Sequence, residues 1–136
     1  MKKNEFITEW CLLQNQFDSY EKHSLYIKLV SVAILFMAEM SGKVGMTVAF
    51  ILLVLWLQDG IWKTFQSRIE PRLCQIEKNI LDENNEGFCQ FNIEYHKLSL
   101  KGKALVGEYL SQSIRPTVAF PHVFLLCIFM FNYLKY

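Results

Sequence analysis

Few side chains in this 136-residue sequence are of types that do chemistry, and their spacing suits it poorly. The three histidines, His23, His96 and His122, are dispersed, and the four cysteines, Cys11, Cys74, Cys89 and Cys127, form no CxxC pair and no Cys/His cluster at metal-ligand spacing. A structural zinc needs four converging ligands, usually in close pairs. No metal and no cofactor are therefore expected. A disulfide scaffold would be shorter and denser in Cys, so the cysteines read as small buried hydrophobes. The motifs GxxxxGK, GxGxxG, GxSxG and HExxH are absent, and with them the usual phosphate cradles, nucleophile elbow and zinc-protease pair. Five ionisable residues remain conspicuous because they lie in or beside apolar runs: Lys28, Glu39, Lys43, Asp59 and His122. They are expected at the membrane edge. Glu39 stands four residues before Lys43 and Asp59 four before Lys63, helical spacing at which opposite charges pair locally. An intramembrane relay role for Glu39 and a catalytic role for Asp59 are the sharper alternatives.

Composition explains why these residues attract notice. Apolar residues make up 52% of the chain, aromatics 15% and charged residues 20%, with 11 Phe. An ordinary soluble domain reaches roughly 45–50% apolar only with Gly included and carries about 25% charge. That excludes a disordered segment, and six Gly with three Pro exclude a collagen-like chain. A net charge of +1 gives no global electrostatic case for binding nucleic acid. The composition is that of a membrane protein. The first 17 residues have a basic start but neither an apolar core nor a small-residue cleavage site, and do not read as a signal peptide.

Three apolar stretches are candidates for spanning helices: 24–41, 44–62 and 117–134. A span wants about 20 mostly apolar residues. The second holds ten residues of the Val/Ile/Leu/Phe class between Val44 and Ile61; at about −0.3 to −0.6 kcal/mol each they contribute roughly −3 to −6 kcal/mol. Asp59, near the end, subtracts less than the roughly 3 kcal/mol it would cost at mid-helix. The first stretch holds eight such residues against Lys28 and Glu39, both close enough to an end for Lys to snorkel. Only Gly42 and Lys43, behind a cap-like Ser41, separate these two stretches, which forces an antiparallel hairpin. Lys2, Lys3 and Lys22 precede the hairpin, Lys43 alone marks its tip, and eight basic residues follow between Lys63 and Arg115. The positive-inside rule then puts the N-terminus and the polar block in the cytoplasm. Trp56, Trp62, Tyr26, Tyr109 and Tyr133 lie near predicted helix ends, where an aromatic belt belongs.

Two amphipathic segments flank the hairpin. Phe6, Trp10, Leu13, Phe17 and Tyr20 share one helical face before it; Trp62, Phe65, Ile69, Leu73, Ile76 and Ile80 share one after it. These stripes serve packing or an oligomer seam. Pro71 should bend the second helix. Residues 82–87 read as a loop, 91–95 alternate like a short strand, and 98–113 suit a short amphipathic helix with Leu105, Tyr109 and Leu110 on one side. The expected fold is an all-α membrane protein: a cytoplasmic amphipathic helix (1–23), a transmembrane hairpin (24–62), a cytoplasmic helix and polar segment (63–116), and a third hydrophobic helix (117–136), which either spans the membrane or packs on the cytoplasmic part.

The run Trp56-Leu57-Gln58-Asp59-Gly60-Ile61-Trp62, with Phe65 and Arg68, resembles a W-x-L-D-x-Y-Y-x-x-x-E-x-x-x-R exit from the second membrane helix of small bacterial multi-pass proteins. The layout is also similar to that of the two-transmembrane, SLATT-like effectors that accompany anti-phage systems. Gln58, Pro71 and the missing acid before Arg68 depart from that pattern. The resemblance implies membrane perturbation rather than catalysis. Arg115 and His122, with six residues between them, fit the loose Arg-x(4–6)-His spacing of one ribonuclease superfamily, a spacing that arises often by chance. The expected function is accordingly a non-enzymatic inner-membrane effector that homo-oligomerises and permeabilises the lipid bilayer. The alternatives are a membrane-anchored accessory subunit with a soluble protein partner, the nuclease, and a soluble helical bundle.

Overall fold

The computed structural model describes residues 2–81 and 102–135, and these are almost wholly helical. Among the described residues there are four helices: α1 (Lys2–Met40), α2 (Met46–Leu81), α3 (Lys103–Ser113) and α4 (Pro116–Lys135). The expected loop at 82–87 and strand-like segment at 91–95 lie outside the described residues. Each apolar stretch of the hairpin continues without a break into its amphipathic flank. At 1.5 Å per residue, α1 with 39 residues is about 58 Å long and α2 with 36 about 54 Å. Both exceed the roughly 30 Å of a bilayer's hydrocarbon core. α4, with 20 residues, is about 30 Å long and matches it. All three are long and apolar enough to cross a membrane, which makes the chain an all-helical membrane protein.

The hairpin turn is a Schellman cap. Gly42 takes φ 62°, a left-handed conformation that costs glycine nothing, and lets Gly42 N–H reach Glu39 O and Lys43 N–H reach Ala38 O, each at 3.1 Å. Ser41 Oγ donates back to Met37 O at 2.7 Å. The last carbonyls of α1 are thus satisfied before the chain reverses. At the other corner Pro116 is the first residue of α4, the position where a missing N–H is harmless. α2 runs through Pro71, and α4 through Pro121, without losing helical assignment.

α1 and α2 pack antiparallel along their whole length, with the two apolar stripes turned toward each other. Phe6, Ile69, Leu73 and Ile76 are buried, and Trp10, Leu13, Phe17, Trp62 and Phe65 are half-buried. The stripes therefore serve packing within the chain. α4 lies against the apolar halves of both hairpin helices, and it runs from the level of Asp59 to the level of Glu39. The third apolar stretch thus packs beside the spanning section of the hairpin and not on its flanks. α3 packs chiefly on α2. Its exposed Leu110 corrects the expectation that Leu105, Tyr109 and Leu110 form one inward side; Gln112 and Ser113 are buried instead.

The surface of the apolar section is inverted relative to a soluble bundle. Leu25, Leu29, Phe36, Phe50, Phe120 and Phe131 are all more than half exposed, while Ser24, Ser31, Asp59 and His122 are buried. A patch this large and this apolar marks a surface meant for something other than water.

α2 and α3 approach closely at Gly60, where an added Cβ would stand 2.9 Å from Ser113 Cβ and 3.2 Å from Ser113 Cα. Trp56 Nε1 donates to Ser113 O at 2.9 Å beside it. Replacing Gly60 by Ala gains about 1 kcal/mol of helix propensity but overpacks this crossing at about 1–3 kcal/mol. Gly60→Ala is expected to lower the melting temperature of the detergent-solubilised protein. A raised melting temperature would show that α3 does not dock there.

Candidate functional site

A carboxylate at the centre of three helices is the most heavily constrained group in the molecule. Asp59 of α2 is completely buried. Ser24 of α1 donates its hydroxyl to Oδ1. His122 of α4 brings Nε2 to 3.3 Å from Oδ2, and Lys28 of α1 brings Nζ to 3.6 Å from the same oxygen. Lys28 Nζ also donates to Ser24 Oγ at 3.2 Å. Two turns of α1, one position of α2 and one of α4 thus converge on one side chain.

Local sequence explains the convergence. Ser24, Lys28, Ser31 and Leu35 follow one another at spacings of four, three and four, so they form a single stripe of α1. On α4, Val118, His122, Leu125 and Phe129 repeat at four, three and four, and all four are buried. The two stripes face each other, and α2 inserts Asp59 and Leu52, seven residues apart, between them. The polar members of the three stripes meet at one height and the apolar members at another.

The energetics are set by desolvation. An isolated ionised carboxylate in an apolar medium is so costly that it would neutralise instead. Here a hydroxyl, an ammonium and an imidazole surround it, and in a low-dielectric setting charge-assisted contacts of this kind are strong. Lys28 remains 23% exposed, so its ammonium reaches past the bundle while pairing with Asp59. His122 is 2% exposed and stacks against Trp56, ring centroids 6.3 Å apart at 13°. Its Nδ1 is buried without a hydrogen-bond partner among the described residues. A hydrogen on Nε2 would be donated to Asp59.

Further layers sit above and below. Toward the hairpin tip comes an apolar layer of Leu35, Leu52, Leu125 and Phe129. Beyond it Asn132 Nδ2 donates to Glu39 Oε1, and these two residues, Val44 and Lys135 line an open cavity of about 290 Å³. In the opposite direction an aromatic cluster begins one turn past Ser24. His23 meets Trp62 at a tilt with ring centroids 4.8 Å apart, Tyr20 approaches Trp62 at 5.4 Å, and Trp62 meets Phe65 at 6.0 Å. Past that cluster the helices are joined by charge. Arg72 Nε and Nη2 both donate to Glu9 Oε1, at 3.0 and 2.7 Å; Arg68 pairs with Glu108 at 2.6 Å; and Trp10 Nε1 donates to Glu77 at 3.1 Å.

Three sequence expectations change in this light. Asp59 does not pair with Lys63 one turn away, because it points into the bundle while Lys63 bonds Gln66. Glu39 meets Asn132 rather than Lys43, because α4 supplies an amide on its inward side. Arg115 is exposed whereas His122 is buried against Asp59, so their spacing does not bring a guanidinium and an imidazole to one open site. Lys28, Glu39, Asp59 and His122 are inward-facing residues of the apolar section, and Lys43 lies exposed in the hairpin turn. Sequence reasoning missed the role of Ser24 and the contacts of Trp56 and Gly60 with Ser113. The four-three-four polar stripe beginning at Ser24 was the available signal. Among the described residues no group of three His, Cys, Asp or Glu is placed to hold a metal. Cys11, Cys74 and Cys127 are exposed on the outer faces of their helices, which corrects the expectation that the cysteines are buried; His96 and Cys89 lie outside the described residues.

No protein-family model, curated protein or solved structure matches this chain. Its class therefore rests on its own architecture, an all-helical membrane bundle with an ionisable cluster at its centre.

Removing one partner of a buried ion pair strands the other, at a cost of about 3–5 kcal/mol, while replacing the pair by apolar residues is often neutral. Asp59→Ala should therefore destabilise the detergent-solubilised protein by that order. Lys28→Met combined with Asp59→Leu should recover most of the loss. Equal losses in the single and double variants, read from thermal unfolding, would show that the pair is not formed.

Proposed function

We propose that this chain is a non-enzymatic effector of the bacterial inner membrane, N-terminus in the cytoplasm, that self-associates and dissipates the gradient across the membrane in defence against phage. One observation carries the reading. Lys28, Asp59 and His122, with Glu39 nearer the tip, face the interior of helices whose outer surface is apolar. Ionisable side chains in membrane helices are costly, and where they face a bundle interior they typically mark a path for ions or protons.

The filling of the bundle supports self-association as one route to a hydrated path. Leu35, Leu52, Leu125 and Phe129 occupy the centre of one copy, so a hydrated route requires either an assembly or an opening of these layers. The distribution of Lys and Arg supports the orientation, and the resemblance of layout to SLATT-like effectors supports the setting in defence. A second reading is favoured by Ile7 and Leu12, apolar and exposed on the flank of α1 beyond the spanning section. They suit docking of a soluble partner to a membrane-anchored subunit.

Expression in a bacterial host, followed with a potential-sensitive dye, tests the first reading. The expected result is loss of membrane potential during phage challenge. A potential that stays normal under challenge contradicts it. Purification from the same cells separates the two readings: a homo-oligomer alone agrees with the effector, a stoichiometric foreign protein with the subunit.

A further inference from the structure

We infer that His122 is a proton-transfer site, and that the ion carried by this protein is the proton. The inference rests on the effector reading above and names the species that moves. Two independent features of the site support it. The first is geometry: His122 Nε2 lies 3.3 Å from Asp59 Oδ2, so a proton acceptor already faces the ring. The second is Nδ1 of the same ring, which is buried and has no hydrogen-bond partner among the described residues. A buried polar atom without a partner calls for an explanation, and a role in proton exchange supplies one.

The groups around the site come from every helix that packs there. α1 presents Ser24 and Lys28, α2 presents Asp59 and Trp56, and α4 presents His122 itself. α3 contributes the Ser113 carbonyl that fixes the Trp56 indole. The exchange balances as follows. When the adjoining layer of Leu35, Leu52, Leu125 and Phe129 opens to a file of water, a hydronium gives its proton to Nδ1, leaving water and an imidazolium. The Nε2 proton passes to Asp59 Oδ2, giving a neutral carboxylic acid and an imidazole that carries its hydrogen on Nδ1. Asp59 then releases its proton to water beside the partly exposed Lys28, with the Ser24 hydroxyl as its hydrogen-bonded neighbour, and becomes a carboxylate again. Reorientation of the ring presents Nδ1–H to Asp59 and leaves Nε2 bare for the next proton. One proton crosses per turn and no redox partner is required.

Selectivity follows from the adjoining layer. Leu35, Leu52, Leu125 and Phe129 exclude hydrated cations, whereas a proton needs only a transient file of water through an apolar constriction. Lys28 beside Asp59 adds a fixed positive charge that opposes metal cations at the same level.

The test uses the full chain in liposomes. An entrapped pH-sensitive dye reports proton entry driven by a potassium diffusion potential, and entrapped carboxyfluorescein reports larger leaks. The wild type should admit protons and retain carboxyfluorescein. His122→Gln keeps a polar side chain but cannot titrate, and its proton flux should fall by roughly a hundredfold, the scale on which a positioned acid–base group acts. The melting temperature of the variant establishes that it folds. Should it not fold, nitrogen NMR of the wild-type ring replaces it: exchange of the His122 proton between both nitrogens supports the site, and a single fixed tautomer from pH 5 to pH 8 overturns it. Carboxyfluorescein release by the wild type, absence of proton flux, or undiminished flux in folded His122→Gln each overturn the inference. Collapse of the potential in cells that is unchanged by His122→Gln overturns it while leaving the effector reading intact.

Discussion

The arrangement depends on the burial of one carboxylate. Asp59 cannot sit charged between helices without compensation, and the compensation comes from outside α2, because Lys63, the cation one turn on, bonds Gln66 instead. Ser24 and Lys28 supply it from α1, and His122 from α4. Hydrophobic burial does not drive helices together inside lipid as it does in water, so polar contacts and close packing must set their register. Asp59 therefore does for this bundle what an apolar core does for a soluble one, with the added consequence that it fixes which face of each helix turns inward.

Along its axis the molecule is graded. At one end Glu39 and Asn132 close the bundle, then comes an apolar layer, then the Asp59 cluster, then the aromatic residues, and last the Arg–Glu pairs of the flanks. Aromatic side chains with a polar tip suit a membrane–water boundary, and charge pairs such as Arg72–Glu9 suit the wet side of it. The same two helices serve lipid at one end and water at the other. That accounts for helices nearly twice as long as a bilayer's hydrocarbon core is thick.

The architecture was legible in the sequence for physical reasons, and the site was not. The 3.6-residue period of Phe6, Trp10, Leu13 and Phe17, and the two-residue interval at Gly42-Lys43, need only local rules, and they specify two long helices folded back on each other. The partners of Asp59 need tertiary knowledge. Lys63, four residues on, is the nearest cation in sequence, and local reasoning selects it; a helix arriving from more than 50 residues away brings His122 instead. Glu39 shows the same error, since Lys43 is adjacent in sequence but Asn132 is adjacent in space. Position along an apolar run also says nothing of facing. Lys28 and Asp59 lie near the ends of their runs, and both turn toward the bundle interior. A serine stripe at Ser24 and Ser31, in phase with Lys28 and Leu35, was the one sequence feature that marked the inward face.

Docking of α4 along the hairpin, with His122 at the level of Asp59 and Asn132 at the level of Glu39, is the claim on which the rest stands. It is tested most directly by oxidative cross-linking in native membranes. The chain used has its four cysteines replaced by serine and new cysteines introduced through Glu39→Cys and Asn132→Cys. Rapid formation of an intramolecular disulfide in the washed membrane fraction is the result this structure requires. Failure of that pair to cross-link, while Asn132→Cys instead links readily to a cysteine placed at Thr64, would show α4 packed on the flanks and would leave Asp59 without its histidine.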